Sequence, residues 1–261
     1  MISFTSAQLT AWIVAFIYPV ARILAFASTA PFLNNPSLPR RTRLLLGLAL
    51  AVSITPTLAP MPAIVPTSAA GILLLIQQIL IGVGMGFSMR IIFAGIEFAG
   101  QVIGTQMGIG FATFYDPLNT SQTVVIANLT TMIATLLFLS LNGHLIYFAT
   151  LAESFRVIPI TLTPIPASAW KTLTLMGGQI FVIGLILSLP AVTALLITNL
   201  ALGVLNRAAP QLNLFGIGFP IILAMGFICL ALSFSYMATP LQHFFEEGMN
   251  TMLQFAAPPK P

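Results

Sequence analysis

Six stretches of the chain are apolar with few interruptions: Ala11–Phe32, Leu44–Ala59, Ile72–Phe98, Thr123–Leu141 with an extension to Leu151, Leu175–Leu202 and Phe215–Met237. A helix that crosses a bilayer needs about 20 mostly apolar residues, and backbone in hydrocarbon has to satisfy its own hydrogen bonds. The pattern therefore predicts helices throughout. The second stretch is short for a span and runs into the proline-studded linker Pro56–Pro66, which predicts a segment that does not cross the membrane in the ordinary way. Pro190 and Pro220 fall inside the last two stretches, where a missing backbone donor is expected to bend or break the helix. No repeat of twenty to fifty residues is visible. The most natural division is "ITLTPIPASAWK", Ile160–Lys171, which separates four segments from a closing helical hairpin and suggests two subregions packed together.

Composition turns this pattern into a class. The 261 residues are 58% hydrophobic and 5% charged, with a mean hydropathy of +1.03, against about 25% charged residues in ordinary soluble domains. Five acidic and nine basic side chains cannot cover a water-exposed surface of this size, so a soluble fold is excluded. The net charge of +4 does not point to nucleic acid, because the basic residues are scattered or sit at the ends of apolar runs. They read instead as orientation signals. Arg40, Arg41 and Arg43 in "PSLPRRTR" place that connector in the cytoplasm by the positive-inside rule, and the N-terminus outside. Counting forward puts Arg90 near an inner end, Arg207 in an inner loop, and Glu246 and Glu247 outside, while Arg156 and Lys171 fall on the outer side against the rule. The opening "MISFTSAQLTAWIV" lacks the basic region of a cleaved signal peptide and is expected to be retained. Cys229, the only cysteine, lies in an apolar run and is read as packing.

Three groups of residues carry the candidate chemistry. Gly100, Gly104 and Gly108 recur every four residues and would lie on one helical face, allowing close approach by a helix of the same bundle or of another subunit. Gly82, Gly84 and Gly86 superficially resemble a nucleotide loop, but they have no preceding strand and lack its final spacing. Arg22, Arg90 and Glu97 interrupt apolar segments, where a charge at mid-membrane depth costs at least about 3 kcal/mol unless it is paired, hydrated or snorkelled. Pairing and snorkelling compete here with a place in a water-filled pathway. Arg90 and Glu97 are two helical turns apart, so each is expected to find a different partner. His144 and His243 are distant in sequence and have no ligand cluster around them, and Asp116 precedes Pro117 in a turn without a second carboxylate nearby. No nucleophile, oxyanion loop or metal-binding set can be assembled, so catalysis, metals and cofactors are not expected. Intramembrane charges and helix-breaking prolines leave a small-molecule secondary transporter as the alternative reading.

The stretch "GTQMGIGFATFYDP", followed by "SLNGHLIYF" and later by "LALGVLNRAAPQLNLFGIGFP", resembles the FliR family of flagellar type III export-gate membrane proteins. "YPVARILAFASTAPFLNNPSLPRRTR" and "QQILIGVGMGFSM" extend the resemblance nearly end to end. What it implies is an all-α membrane protein whose kinked helical hairpins form part of a helical export-gate assembly in the bacterial inner membrane, at the flagellar basal body. Residues 1–165 would be a FliP-like region and 166–261 a FliQ-like hairpin with its tail. FliP, FliQ and FlhB would be its partners, and unfolded flagellar proteins its cargo. The resemblance further implies that the loop 106–122 sits in the channel lumen as a plug. Glycines such as Gly110 would let it fold into a confined space, and Met107, Phe111, Phe114 and Tyr115 could fill that space without buried charge. One departure stands out: many members of the family carry an acidic residue where this chain has Gln101, while Glu97 stands one turn earlier.

Overall fold

The computed structural model describes residues 6–34, 38–58, 64–109, 125–209 and 214–256. Among these, eight α-helices account for nearly all regular structure, and no strand occurs. They are α1 (Ser6–Thr29), α2 (Arg40–Ile54), α3 (Ala69–Gln106), α4 (Val125–Ser140), α5 (Gly143–Val157), α6 (Ala167–Met176), α7 (Gln179–Ala208) and α8 (Leu214–Ala256), with a short 3-10 turn at Thr55–Thr57 after α2.

Three helical stretches are long and apolar enough to cross a membrane: Ala69–Gln106, Ala167–Ala208 and Gly216–Phe255. A fourth span arises if α4 and α5 are taken together, although they meet at an angle of 71°. The corner has a local cause. Asn142 adopts φ 56°, a left-handed conformation that asparagine tolerates better than most residues, and its carbonyl accepts the first amides of α5. The fifteen residues of α2 follow only about 22 Å of helical path, less than the roughly 30 Å hydrocarbon core. That fits the expectation of an unconventional second segment.

The other helices overrun their expected ends. The 38 residues of α3 and 43 of α8 follow about 57 and 64 Å of helical path. Ser68 starts α3 by accepting the Gly71 amide at 3.1 Å. The helix ends where Gly108 takes φ 75°, with its amide bonded to the Thr105 carbonyl. Neither Pro190 in α7 nor Pro220 and Pro240 in α8 breaks its helix, contrary to the stronger form of the expectation. Apolar surroundings leave a chain no alternative to helix, so the loss of one ladder bond is tolerated.

Two compact units emerge: one comprises Met1–Ile91, Asn142–Gly177 and Glu246–Pro261, the other Ile92–Leu141 and Gly178–Phe245. In the first, Phe26 stacks on Tyr147 with ring centroids 4.4 Å apart, and Trp170 meets the edge of Phe255 at 5.3 Å. The second contains a triad of Phe93, Phe138 and Phe245 with centroids 5.1 to 6.0 Å apart. Many large apolar side chains remain uncovered, among them Leu45 in α2, Leu200 and Val204 in α7, and Tyr236 in α8. Such a surface suits lipid or neighbouring membrane helices.

Candidate functional site

The first unit is organised around a charge. Arg22 in α1 is completely buried, and its guanidinium donates to four atoms. Nε–H reaches Gln78 Oε1 at 2.8 Å, Nη1 reaches the Ser154 carbonyl at 3.1 Å and hydroxyl at 3.3 Å, and Nη2 reaches the Ile158 carbonyl at 3.0 Å. The Phe155 ring lies under the guanidinium carbon at 4.2 Å, close enough for a cation–π attraction. No carboxylate pairs with Arg22 among the described residues; Glu153, near it in α5, pairs instead with Arg156 in an exposed contact of 3.5 Å.

The charge is compensated by a helix end. Ile158 is the C-cap of α5, and Ser154 lies in its last turn, where backbone carbonyls run out of intrahelical donors and carry the negative end of the helix dipole. Arg22 therefore caps α5 from α1, with its planar fork matched to diverging acceptors. The arrangement also fixes Gln78. Its Oε1 faces the Arg22 donor, which leaves Nε2 buried without a partner, since a flipped amide would oppose two donors. Neighbouring Gln77 donates to the Thr163 carbonyl, so the two amides of "LLLIQQILIG" tie α3 to Arg22 of α1 and to the loop beyond α5.

Close helix packing places the arginine. A Cβ on Gly82 would collide with the Arg22 carbonyl oxygen and lie 2.9 Å from Ala25 Cβ; one on Gly86 would meet Thr29 Oγ1 and lie 2.8 Å from the Phe26 carbonyl. The backbones of α1 and α3 thus touch at these two glycines. Gly84, half a turn round, faces the Phe255 ring instead. The sequence reading set this run aside as a false nucleotide loop and missed its packing role, which the four-residue spacing of Gly82 and Gly86 could have signalled. It also missed Gln78, Ser154 and Ile158 as the partners of Arg22.

The remaining candidates separate. Arg90 and Glu97 are both exposed on α3, and Gln101 Nε2 lies 3.4 Å from Glu97 Oε1, a long and weak contact. Gly100 abuts α4, where a Cβ would fall 2.5 Å from Ala127 Cα and against Thr130 Oγ1, while Gly104 faces Ile126 at an ordinary 3.5 Å. Gly108 lies past the helix end, where its positive φ serves the turn.

Only the first residues of the 106–122 segment are described; Gly110, Phe111, Phe114, Tyr115 and Asp116 lie outside the described residues. Its stem is nevertheless clear. Met107 is fully buried with Ile103, Ile126, Ala191, Leu195 and Leu230, and its side chain lies over Gly226 of α8, where a Cβ would come within 2.5 Å of Met107 Cγ. The segment thus departs from a fixed point in the core of the second unit. Cys229 is partly buried, and no group of His, Cys, Asp or Glu suited to a metal ion occurs among the described residues.

Long apolar helices, a sharply bent helical pair and a buried neutral-capped arginine define an all-α, multi-pass membrane protein. Residues 13–248 match the family described as "Bacterial export proteins, family 1". The chain is 44% identical to flagellar biosynthetic protein FliR of Pectobacterium carotovorum subsp. carotovorum, and 42% identical to that of Escherichia coli strain K12; each alignment covers 97% of this chain and 96% of the relative. Identity to the FliR of Bacillus subtilis strain 168 is 28%, over 93% of this chain and 95% of the relative. The chain belongs to bacterial export proteins, family 1, within the flagellar FliR group.

Proposed function

We propose that the chain is a noncatalytic subunit of the flagellar type III export gate, assembling with FliP and FliQ, alongside FlhB, into the channel through which unfolded flagellar proteins cross the inner membrane. Residues 1–165 supply the FliP-like part and 166–261 the FliQ-like hairpin. Segment 106–122 closes the lumen, with Gly110, Phe111, Phe114 and Tyr115 filling it, while Met107, expected from the sequence to join them, is buried in the core of the second unit and serves as the anchor. The observation that carries this reading is full-length similarity to FliR proteins. The buried stem at Met107 supports it further, because a plug has to leave a fixed anchor through a flexible point, and Gly108 directly follows. Gly100 and Gly104 serve helix packing in this account. Arg22, held by neutral acceptors, fits a structural charge better than a transported ion's counter-charge.

Copurification from native membranes tests the assembly. Recovery with FliP-like and FliQ-like chains, and loss of motility without loss of growth on deletion, are the expected results. A chain that purifies only as a self-sufficient monomer and binds a small solute would overturn the reading in favour of a secondary transporter.

A further inference from the structure

In the second unit α3 is closed on two flanks. Gly100 and Gly104 lie against Ala127, Thr130 and Ile126 of α4; Gly95 lies against Ile183 of α7, and Phe98 against Gly184 and the edge-on ring of Phe181. With about 100° of turn per residue, the arc between these flanks is roughly 80° wide and carries Ala94, Glu97, Gln101 and Thr105. Glu97 and Thr105 are exposed, Ala94 and Gln101 half-buried. No cation pairs with Glu97 among the described residues, and its contact with Gln101 Nε2 is the long one of 3.4 Å. The Thr105 hydroxyl donates to the Gln101 carbonyl at 2.8 Å and keeps its lone pairs free. The open faces of α4 and α7 present large apolar side chains instead, such as Met132, Leu136, Leu185 and Leu189. A polar arc thus stands on a helix that is long and apolar enough to span a membrane.

We propose that this arc is part of the wall of a water-filled passage, and that a hydrated, unfolded polypeptide moves along it. The inference rests on the proposed membership of an export gate and specifies which side chains of this chain meet the cargo. A carboxylate within a spanning helix is stable when it faces the bundle interior or water, and α4 and α7 shut Glu97 out of the interior. Membrane helices approach one another closely at small residues, yet Gly95, Gly100 and Gly104 are all taken up by α4 and α7. A neighbouring helix would instead have to match a carboxylate, an amide and a hydroxyl over about 12 Å of axis. Water answers all three at once. An extended chain in transit presents backbone donors and acceptors with side chains of every kind, so a hydrated wall without a large apolar side chain lets it slide. Thr105, the last member of the arc, stands directly before segment 106–122.

The test uses the full chain purified with its export components into lipid nanodiscs, which leave both ends of a passage open to reagent. In a Cys229→Ala background, single cysteines are introduced as Gln101→Cys, Thr105→Cys and, on the apolar face of α7, Leu189→Cys, in chains that keep motility. Their rates of reaction with a cationic and an anionic methanethiosulfonate are measured. Gln101→Cys and Thr105→Cys should react at least about tenfold faster than Leu189→Cys, because the thiolate is the reactive form and apolar surroundings suppress it. Adding Glu97→Gln should lower the cationic-to-anionic rate ratio at Gln101→Cys about threefold, the effect of one charge roughly 6 Å away in physiological salt. In complexes purified with a stalled export substrate, both rates should fall. Rates no faster than at Leu189→Cys, a ratio unmoved by Glu97→Gln, or rates unchanged by the stalled substrate would each overturn the proposal. If the chain copurifies with export components while the two cysteines stay unreactive, this inference alone fails. If it copurifies with none, the functional reading fails and takes this inference with it.

Discussion

Arg22 offers a sharp test because capping and snorkelling predict opposite rankings of two substitutions. Arg22→Met keeps most of the volume but strands Gln78 Oε1 and the Ile158 carbonyl, while the Ser154 carbonyl keeps the Ile158 amide at 2.9 Å. Each stranded buried acceptor costs about 1–3 kcal/mol. Removing the guanidinium also relieves a desolvation penalty of roughly several kcal/mol, which offsets most of that cost and leaves a net loss of no more than about 3 kcal/mol. In a chain of this size that lowers the midpoint of thermal unfolding by no more than about 12 °C. Arg22→Lys retains the desolvation penalty, yet its compact ammonium cannot span Gln78, Ser154 and Ile158 together or lie flat on Phe155. Lysine should therefore destabilise at least as much as methionine. Limited proteolysis of the detergent-purified protein across a temperature ramp measures the order. A lysine variant within about 1 kcal/mol of the parent would refute the capping argument, since charge alone would then suffice.

Two further substitutions probe local geometry. Gly82→Ala should cost about 1–3 kcal/mol by forcing α1 from α3, whereas Gly203→Ala, with nothing within 4 Å, should leave stability unchanged or raise it by up to about 1 kcal/mol; the same proteolysis ramp compares them. Asn142→Val should cost about 1–2 kcal/mol at φ 56°, with Asn142→Gly close to neutral, read from accumulation of intact protein in membranes.

Fold class was legible because it follows from composition: hydrophobic runs of spanning length allow little but helix. Helix ends were less so. The expected stop of the third segment at Phe98 ignored that Gly100 packs on α4 and lets the helix continue, and the last helix runs past the expected stop at Met237, through Pro240, to Ala256. The charge at Arg22 was visible in the sequence, but its partners were not, because two are backbone carbonyls that any residue could supply. Only Gln78, an amide within "LLLIQQILIG", offered a signal. The glycine runs show the same limit. A four-residue spacing marks a close approach without naming the neighbour, which proved to be α1 for Gly82 and Gly86 and α4 for Gly100.

In the proposed gate, a segment anchored at Met107 seals a protein-conducting channel. Removing Gly110–Phe114 from the full chain and recording ion conductance of membranes that contain the correctly assembled complex addresses it most directly. A raised leak with intact assembly is the predicted result; conductance identical to that of the parent complex would contradict it.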